Sequence, residues 1–451
     1  MNTEALQKAI DTCHQRGGGR VTIPSGTFLT GTLNLKSHVE LFLDENAVLL
    51  GSAKRIDYGD QSLTLQPPVP HIAGRASWLS LIFANDASDI SITGSGTIDG
   101  QGTALAEDVW QTLYGSDPKK KGDPSHRAKE KLRPQLIYFT GCKGVNIRGI
   151  TLKDSSSWVE TYEKCDGVQI RNLHVDSTAF WNNDGIDVVD SRNVTISDST
   201  FNSADDGICL KSHDPASFCE NIEITNCIVR SSASGFKVGT ASLGGFRHLR
   251  IKNLYVYQTH RCAIALECVD GGFLEDVQID GVTAQYVGNA FFIRRGLRNG
   301  TASGPVRDIS IRNVVAYIPD DKPDLGYRFT LGTAGKTGKL LPSVIAGLPG
   351  SDVENVHLEN IDLLYDGGGK PVAEGKPVPE NSKGYPEYSM FGPLPAWGLY
   401  IRHADDIQMK HVRMRVIHTD QRQPFVYDDV KGLTQENVAF GQVGPSGKAS
   451  Q

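Results

Sequence analysis

The sequence predicts an all-β fold, a single-stranded right-handed parallel β-helix that takes in the whole 451-residue chain as one domain. Three observations predict it. First, an aliphatic residue followed two places later by Gly, Asn or Asp recurs along the chain. It occurs at Ile92/Gly94, Ile147/Gly149, Ile170/Asn172, Ile196/Asp198, Ile224/Asn226, Ile251/Asn253, Ile279/Gly281, Ile311/Asn313 and Leu358/Asn360. The steps between those aliphatics are 55, 23, 26, 28, 27, 28, 32 and 47 residues, so the middle ones cluster at one coil length. The two long steps are near double coils or carry insertions. Second, Asp-Gly-Ile appears twice, at Asp184-Gly185-Ile186 and Asp206-Gly207-Ile208, 22 residues apart. Third, residues 140–318 lack the amphipathic helices that alternating α/β units would place between strands.

In chain order, TEALQKAIDTCHQ sets Ala5, Leu6, Ala9, Ile10 and Cys13 at helical spacing and ends at Gly17-Gly18-Gly19. Residues 1–19 therefore read as a capping helix over the first coil, which would otherwise expose a strand edge. The run RVTIPSGTFLTGTLNLKSHVELFLDENAVLLGS alternates β-branched and leucine stretches with turn residues and reads as short strands. In the repeat, Gly, Asn and Asp tolerate left-handed backbone, so each marks one turn per coil, and stacked Asn side chains can hydrogen-bond along the ladder. Residues 103–132 (charged and partly helical), 319–350 and 364–398 (both Gly- and Pro-rich) fall outside the repeat. Long loops on one face of a solenoid shape a binding surface, or else decorate it. The tail at 442–451 reads as frayed.

Composition narrows the class. The apolar fraction of 39% supports a continuous core, yet no stretch approaches ~18 uninterrupted apolar residues, so no membrane span is expected. A net charge of −6 argues against nucleic acid as a partner. The eight cysteines include no C-x-x-C pair, which disfavours a zinc ribbon, and Cys209 and Cys219 are candidates for a loop disulfide. Met1 runs straight into the helical pattern without a signal-peptide pattern, so a periplasmic or secreted location is expected only with a leader absent from this sequence. The oligomeric state is not legible.

Aligning the coils on their Gly or Ala positions (Gly185, Gly207, Gly235, Ala263, Ala290) gives a self-consistent register. The inward set is Ile186, Ile208, Phe236, Ile264 and Phe291, backed by Val188, Leu210, Val238, Leu266 and Ile293; all are apolar. Asp187, Cys209, Lys237, Ala265 and Phe292 form one outward column, and Val189, Lys211, Gly239, Glu267 and Arg294 the next. Asp184 and Asp206 stand at the strand entrance with Asp205 beside them, and neighbouring coils bring such acids to roughly 5 Å. Asp-Gly is a common turn pair, so one copy means little. Three acids in register with Lys211, Lys237, Glu267 and Arg294 read as a site, because clustered like charges are costly unless used. Two acids across a glycosidic bond suit general acid/base hydrolysis. Three aspartates could instead hold Ca²⁺, which with an arginine base would make a polysaccharide lyase. A non-catalytic glycan-binding β-helix is the third reading.

These motifs resemble glycoside hydrolase family 28, the polygalacturonases and rhamnogalacturonases. NNDGID (Asn182–Asp187) resembles the family's N-x-D-G-x-D block and Asp205-Asp206-Gly207 its D-D block. GSGTIDGQG from Gly94, RPQLIYFTGCKGVNIRGITLKDSSSW from Arg133, and the bacterial-type GLYIRHADDI are similar as well. The resemblance runs from the N-terminal cap to about Tyr286. It implies a metal-free, cofactor-free inverting hydrolase of pectic polysaccharides or oligosaccharides. Asp205 would be the general acid, with Asp184 and Asp206 holding and deprotonating the attacking water. Asn182, Asp187, Lys211, Lys237, Glu267 and Arg294 would contact substrate. The long loops suggest exo action by blocking one end of the cleft. Two blocks depart from the pattern: Ser234-Gly235 stands where the family has G-H-G, and Ala265-Leu266-Glu267 where it has R-I-K. A glutamate in place of a cation disfavours galacturonate there, leaving Lys237 and Arg294 to replace the charge, or a neutral sugar as substrate.

Overall fold

The structure is a computed structural model describing residues 1–59, 77–115, 117, 119, 129–299, 302–321, 323–324, 327, 341–372 and 377–443. The chain divides into two compact units, Met1–Cys209 with Tyr327–Gly332, and Leu210–Gly326 with Thr333–Gln451. Among the described residues, no helix is long and apolar enough to cross a membrane.

The first unit opens on helix α1, Thr3–Gln15, which buries Ile10 and ends where Gly17, Gly18 and Gly19 all take positive φ. Short strands then stack in parallel. Lys143–Arg148 pairs with Ser88–Gly94 on one side and Asp166–Arg171 on the other, and Asp166–Arg171 pairs with Arg192–Ser197. This pairing puts Leu41, Ile92, Ile147, Ile170 and Ile196 in one column of direct partners, all buried. Each such side chain contributes about 1.5–3 kcal/mol of hydrophobic stabilisation. The residue two places on has positive φ in the last four coils: Gly94, Gly149, Asn172 and Asp198. That conformation is why Gly, Asn and Asp recur at this position.

The second unit repeats the design with longer strands, Cys219–Ser231, Gly245–Cys268, Phe273–Arg295, Val306–Ile318, Val353–Gly367 and Ala396–His418. Ile224, Ile251, Ile279, Ile311, Leu358 and Met409 are direct partners in one buried column. Asn226, Asn253, Gly281, Asn313 and Asn360 again have positive φ. The expected asparagine ladder forms, with Asn253 Nδ2 donating to Asn226 Oδ1 (3.1 Å) and Asn360 Nδ2 to Asn313 Oδ1 (3.0 Å). The predicted alternation also holds: Phe236, Ile264 and Phe291 align inward, while Lys237, Ala265 and Phe292 align outward.

The two long steps are single coils with insertions, since Ile92 pairs directly with Ile147 and Ile311 with Leu358. The 103–132 insertion forms helix α2, Gly102–Tyr114, whose Ala106, Val109 and Trp110 are packed by Leu113, Tyr114, Leu132 and Phe180. The expectation that 319–350 lies outside the repeat needs correction. Ser343–Ala346 is a strand of the stack, paired with Phe292–Arg294 and with Leu399–Arg402. It is too short, and too closely flanked by Gly and Pro, to carry a periodic signal. All eight cysteines are thiols, so the Cys209–Cys219 disulfide is absent. Of the tail expected to fray, Gln442 ends the strand Ala439–Gln442 and residues 444–451 lie outside the described residues.

Candidate active site

Asp184 and Asp206 meet through the coil ladder of the first unit. Gly185 N donates to Asp206 O (2.8 Å) and Ile186 N to Gly207 O (3.1 Å), which sets one Asp-Gly-Ile directly against the other. Gly185 is required by this approach, because a Cβ there would sit 2.5 Å from Gly207 O. A carboxylate oxygen of each acid and Cys209 Sγ all lie within 4.8 Å of one another. Asp184 and Asp206 are each 4% exposed and Asp205 is 8% exposed, so all three sit in a mostly dry wall that solvent reaches at its edge. Asp205 is oriented from two sides: its Oδ1 accepts from Asp206 N (3.0 Å), and its Oδ2 from Asn182 Nδ2 (3.4 Å). Asp187 is fully buried, paired across the ladder with Thr161.

The turn that carries these groups is braced by neighbours that sequence reasoning did not single out. Asn183 Nδ2 donates to Ser155 O (2.9 Å) and Ser157 O (2.7 Å), while its Oδ1 accepts from Phe180 N (3.1 Å). Arg133 is buried; its guanidinium donates to Trp181 O (2.7 Å) and Asn182 Oδ1 (3.2 Å) and lies 4.8 Å from the Phe180 ring centroid. Thr103 Oγ1 at the start of α2 donates to Ala179 O (3.2 Å). The α2 insertion is thus a buttress for the loop holding Asn182. Arg133 was not singled out because its partners, Trp181 and Asn182, lie 48 and 49 residues away in the sequence. Cys209 could have been found, since strict alternation from Asp187 already places it on the outward column.

Behind this wall, Glu160 is fully buried in register with Ile137 and accepts the Tyr162 hydroxyl at 2.5 Å. Among the described residues, its other oxygen has no hydrogen-bond partner. Burial pushes its carboxyl up to about 8, against a smaller lowering by the Tyr162 hydrogen bond, so the interior of the coil holds a protonated acid at neutral pH.

In the second unit the remaining predicted site residues are not solvated cations. Lys237 Nζ lies 3.6 Å from Glu267 Oε2 with both side chains almost wholly buried, and Thr240 Oγ1 donates to the same oxygen (3.2 Å). Arg294 is fully buried. Its two terminal nitrogens donate to Gly347 O and Glu380 O, both at 2.8 Å, and burial lowers its pKa to about 10. Lys211 is also buried, with 6% exposure.

A family model for glycosyl hydrolases family 28 matches residues 13–264, more than half of the chain. The chain belongs to that family. Among curated relatives of this family-28 chain, a probable polygalacturonase from Vitis vinifera is 27% identical over 65% of the chain and 59% of its own length. An exo-poly-alpha-D-galacturonosidase from Dickeya chrysanthemi is 29% identical over 46% of the chain and 39% of its own length. The chain therefore spans about three fifths of the first relative and about two fifths of the second. Among solved structures, a family 28 exopolygalacturonase from Yersinia enterocolitica matches 98% of the chain and 75% of its own chain at TM-score 0.63 and 19% identity. A hyperthermoactive exopolygalacturonase from Thermotoga maritima matches 80% and 83% at TM-score 0.58 and 22% identity. At those identities the structural likeness establishes the β-helix fold.

The Ala265-Leu266-Glu267 departure from the family-28 pattern has a structural explanation within this chain. Glu267 is paired with Lys237. Ala265 packs with Phe292, Val344 and Tyr400 into an apolar cluster covered by Tyr388, Phe391 and Leu394 from the loop before Ala396. Arg294, expected to restore the missing positive charge, is committed to the carbonyls of that loop and of Gly347. Among the described residues, the donor set closest to a metal site is Asp184, Asp206 and Cys209. A buried thiol and two carboxylates suit Ca²⁺ poorly, since it takes six to eight oxygens.

Proposed function

We propose that the protein is an inverting glycoside hydrolase that cleaves α-glycosidic bonds in pectin-type polysaccharides or oligosaccharides. The observation that carries this reading is the Asp184–Asp206 approach across one coil step, with Asp205 turned aside by Asn182. Two carboxylates that close are suited to share one water, and a third on a separate leash is suited to protonate the leaving oxygen. Asp205 is the general acid; Asp184 and Asp206 position and deprotonate the water. Asp187 supports the wall. Lys211, Lys237 and Glu267 belong to the substrate side, whereas Arg294 serves it indirectly, by fixing a loop. The relatives' names, polygalacturonase and exo-galacturonosidase, favour a pectic substrate, and the long loops favour exo action. A periplasmic or secreted location accompanies such a substrate.

Asp205→Asn is expected to lower turnover at least ~100-fold, a typical general-acid contribution, with the fold unchanged by circular dichroism. Near-wild-type release of reducing ends from pectin fragments by this variant would remove the proposal. An unsaturated product absorbing in the ultraviolet and abolished by chelator would select a lyase instead.

A further inference from the structure

The loop leading into Ala396 does more than cover the apolar cluster, because it carries one ring outward. Tyr385 is 51% exposed and stands among three cations, with Lys237 Nζ at 5.7 Å, Arg261 Cζ at 5.9 Å and Arg298 Cζ at 6.0 Å from its ring centroid. The loop beneath it is pinned on both sides. Leu297 N donates to Ser382 O (2.8 Å), Arg294 to Glu380 O (2.8 Å) and Gly384 N to Asn381 O (3.0 Å), while Tyr388 and Phe391 are buried in the cluster. An exposed aromatic face held this firmly is a stacking surface that loses little entropy on binding.

Each surrounding cation already has a carboxylate. Lys237 pairs with Glu267 (3.6 Å), Arg261 with Glu387 (3.3 Å), and Arg298 with Asp270 through two bonds of 2.6 and 2.8 Å. The floor under Tyr385 is therefore neutral overall while rich in both donors and acceptors. A sugar hydroxyl uses both kinds. A uronate carboxylate would meet Glu267 and Glu387 and would have to break an ion pair to gain a cation.

We propose that Tyr385, with Arg261 and the Lys237–Glu267 pair, forms a subsite for a neutral glycosyl residue, such as an uncharged or methyl-esterified sugar, and discriminates against a free uronate. This rests on the hydrolase reading for its biological substrate, but binding at the subsite is measured independently of cleavage.

The test is isothermal titration of the intact protein with α-1,4-linked trigalacturonate and with its fully methyl-esterified counterpart, two probes of one glycan backbone, the first anionic and the second uncharged. Reducing-end release is recorded in parallel on the same samples. The ester is expected to bind about tenfold tighter than the acid. Tyr385→Ala should weaken ester binding about five- to tenfold, and Tyr385→Phe should retain it, since the ring face carries the contact. Tighter binding of the acid, no measurable binding of the ester, or an unaltered affinity in Tyr385→Ala would overturn the subsite, even where cleavage proceeds. Ester binding that depends on Tyr385 without any cleavage would support the subsite and count against the hydrolase reading alone.

Discussion

Asn182 controls how the proposed general acid is presented. Its left-handed backbone (φ 58°) turns the side chain so that it bridges Arg133 and Asp205. Removing that bridge leaves the acid in place but lets it swing, and small misplacements of a catalytic group are expensive in rate. Asn182→Ala is therefore expected to lower kcat at least about tenfold with KM nearly constant; steady-state kinetics showing a rise in KM alone would contradict a positioning role. Glu160 acts on stability rather than catalysis. Its carboxyl ionises near 4.5 when unfolded and near 8 in the fold, so the folded state holds the proton more tightly. The stability it contributes is complete below about pH 4.5 and is lost progressively as the pH rises through about 8. Glu160→Gln should accordingly match the wild type near pH 4 and exceed it by on the order of a few kcal/mol at pH 8, read from urea midpoints at the two pH values. Asp184, Asp205 and Asp206 were legible in the sequence because the motif repeats at the coil period. Arg133 and Glu160 were not: one bonds to residues distant in sequence, and the other is an acid at an interior position where the alternation demands an aliphatic residue.

At the scale of elements, the coil is an aliphatic knob followed by a left-handed turn, and both parts were readable from residue spacing. Every aliphatic of the repeat pairs with its neighbour within its own unit, which is why residue spacing alone sets the register of the outward columns. Ile251→Ala should cost about 2–5 kcal/mol by thermal or urea unfolding, since both neighbouring coils present a residue that cannot collapse into the gap. A cost below about 1 kcal/mol would mean the column is not close-packed. The loops were legible only as interruptions. That the segment before Ala396 is clamped by Arg294 and Arg402 depends on cations from two strands, Arg294 being distant in sequence and Arg402 donating to Val378 O (3.1 Å) and pairing with Glu380 (2.5 Å). Spacing within the repeat made Arg294 look like an outward cation ready for a substrate, and only the arrival of the loop on that face explains its burial. Arg294→Met should speed proteolytic cutting in the 377–395 loop, with the coil spectrum unchanged by circular dichroism.

For the molecule as a whole, the acidic balance, the absence of a C-x-x-C pair and the repeat excluded more classes than they identified. The Asp-Gly blocks then narrowed the choice to family 28, which the match over residues 13–264 establishes. Within this chain, acids concentrate on the coil step at Asp184 and Asp206, while Lys237, Arg261 and Arg298 are each paired with a carboxylate. The stereochemistry of the product tests this account most directly. Proton NMR of the first sugar released from a pectic oligosaccharide is expected to show the anomer opposite to that of the cleaved bond, with the signal lost in Asp205→Asn. Release of the same anomer as the substrate would mean a covalent intermediate on one of these acids, and would contradict the assignment of Asp184 and Asp206 to a shared water.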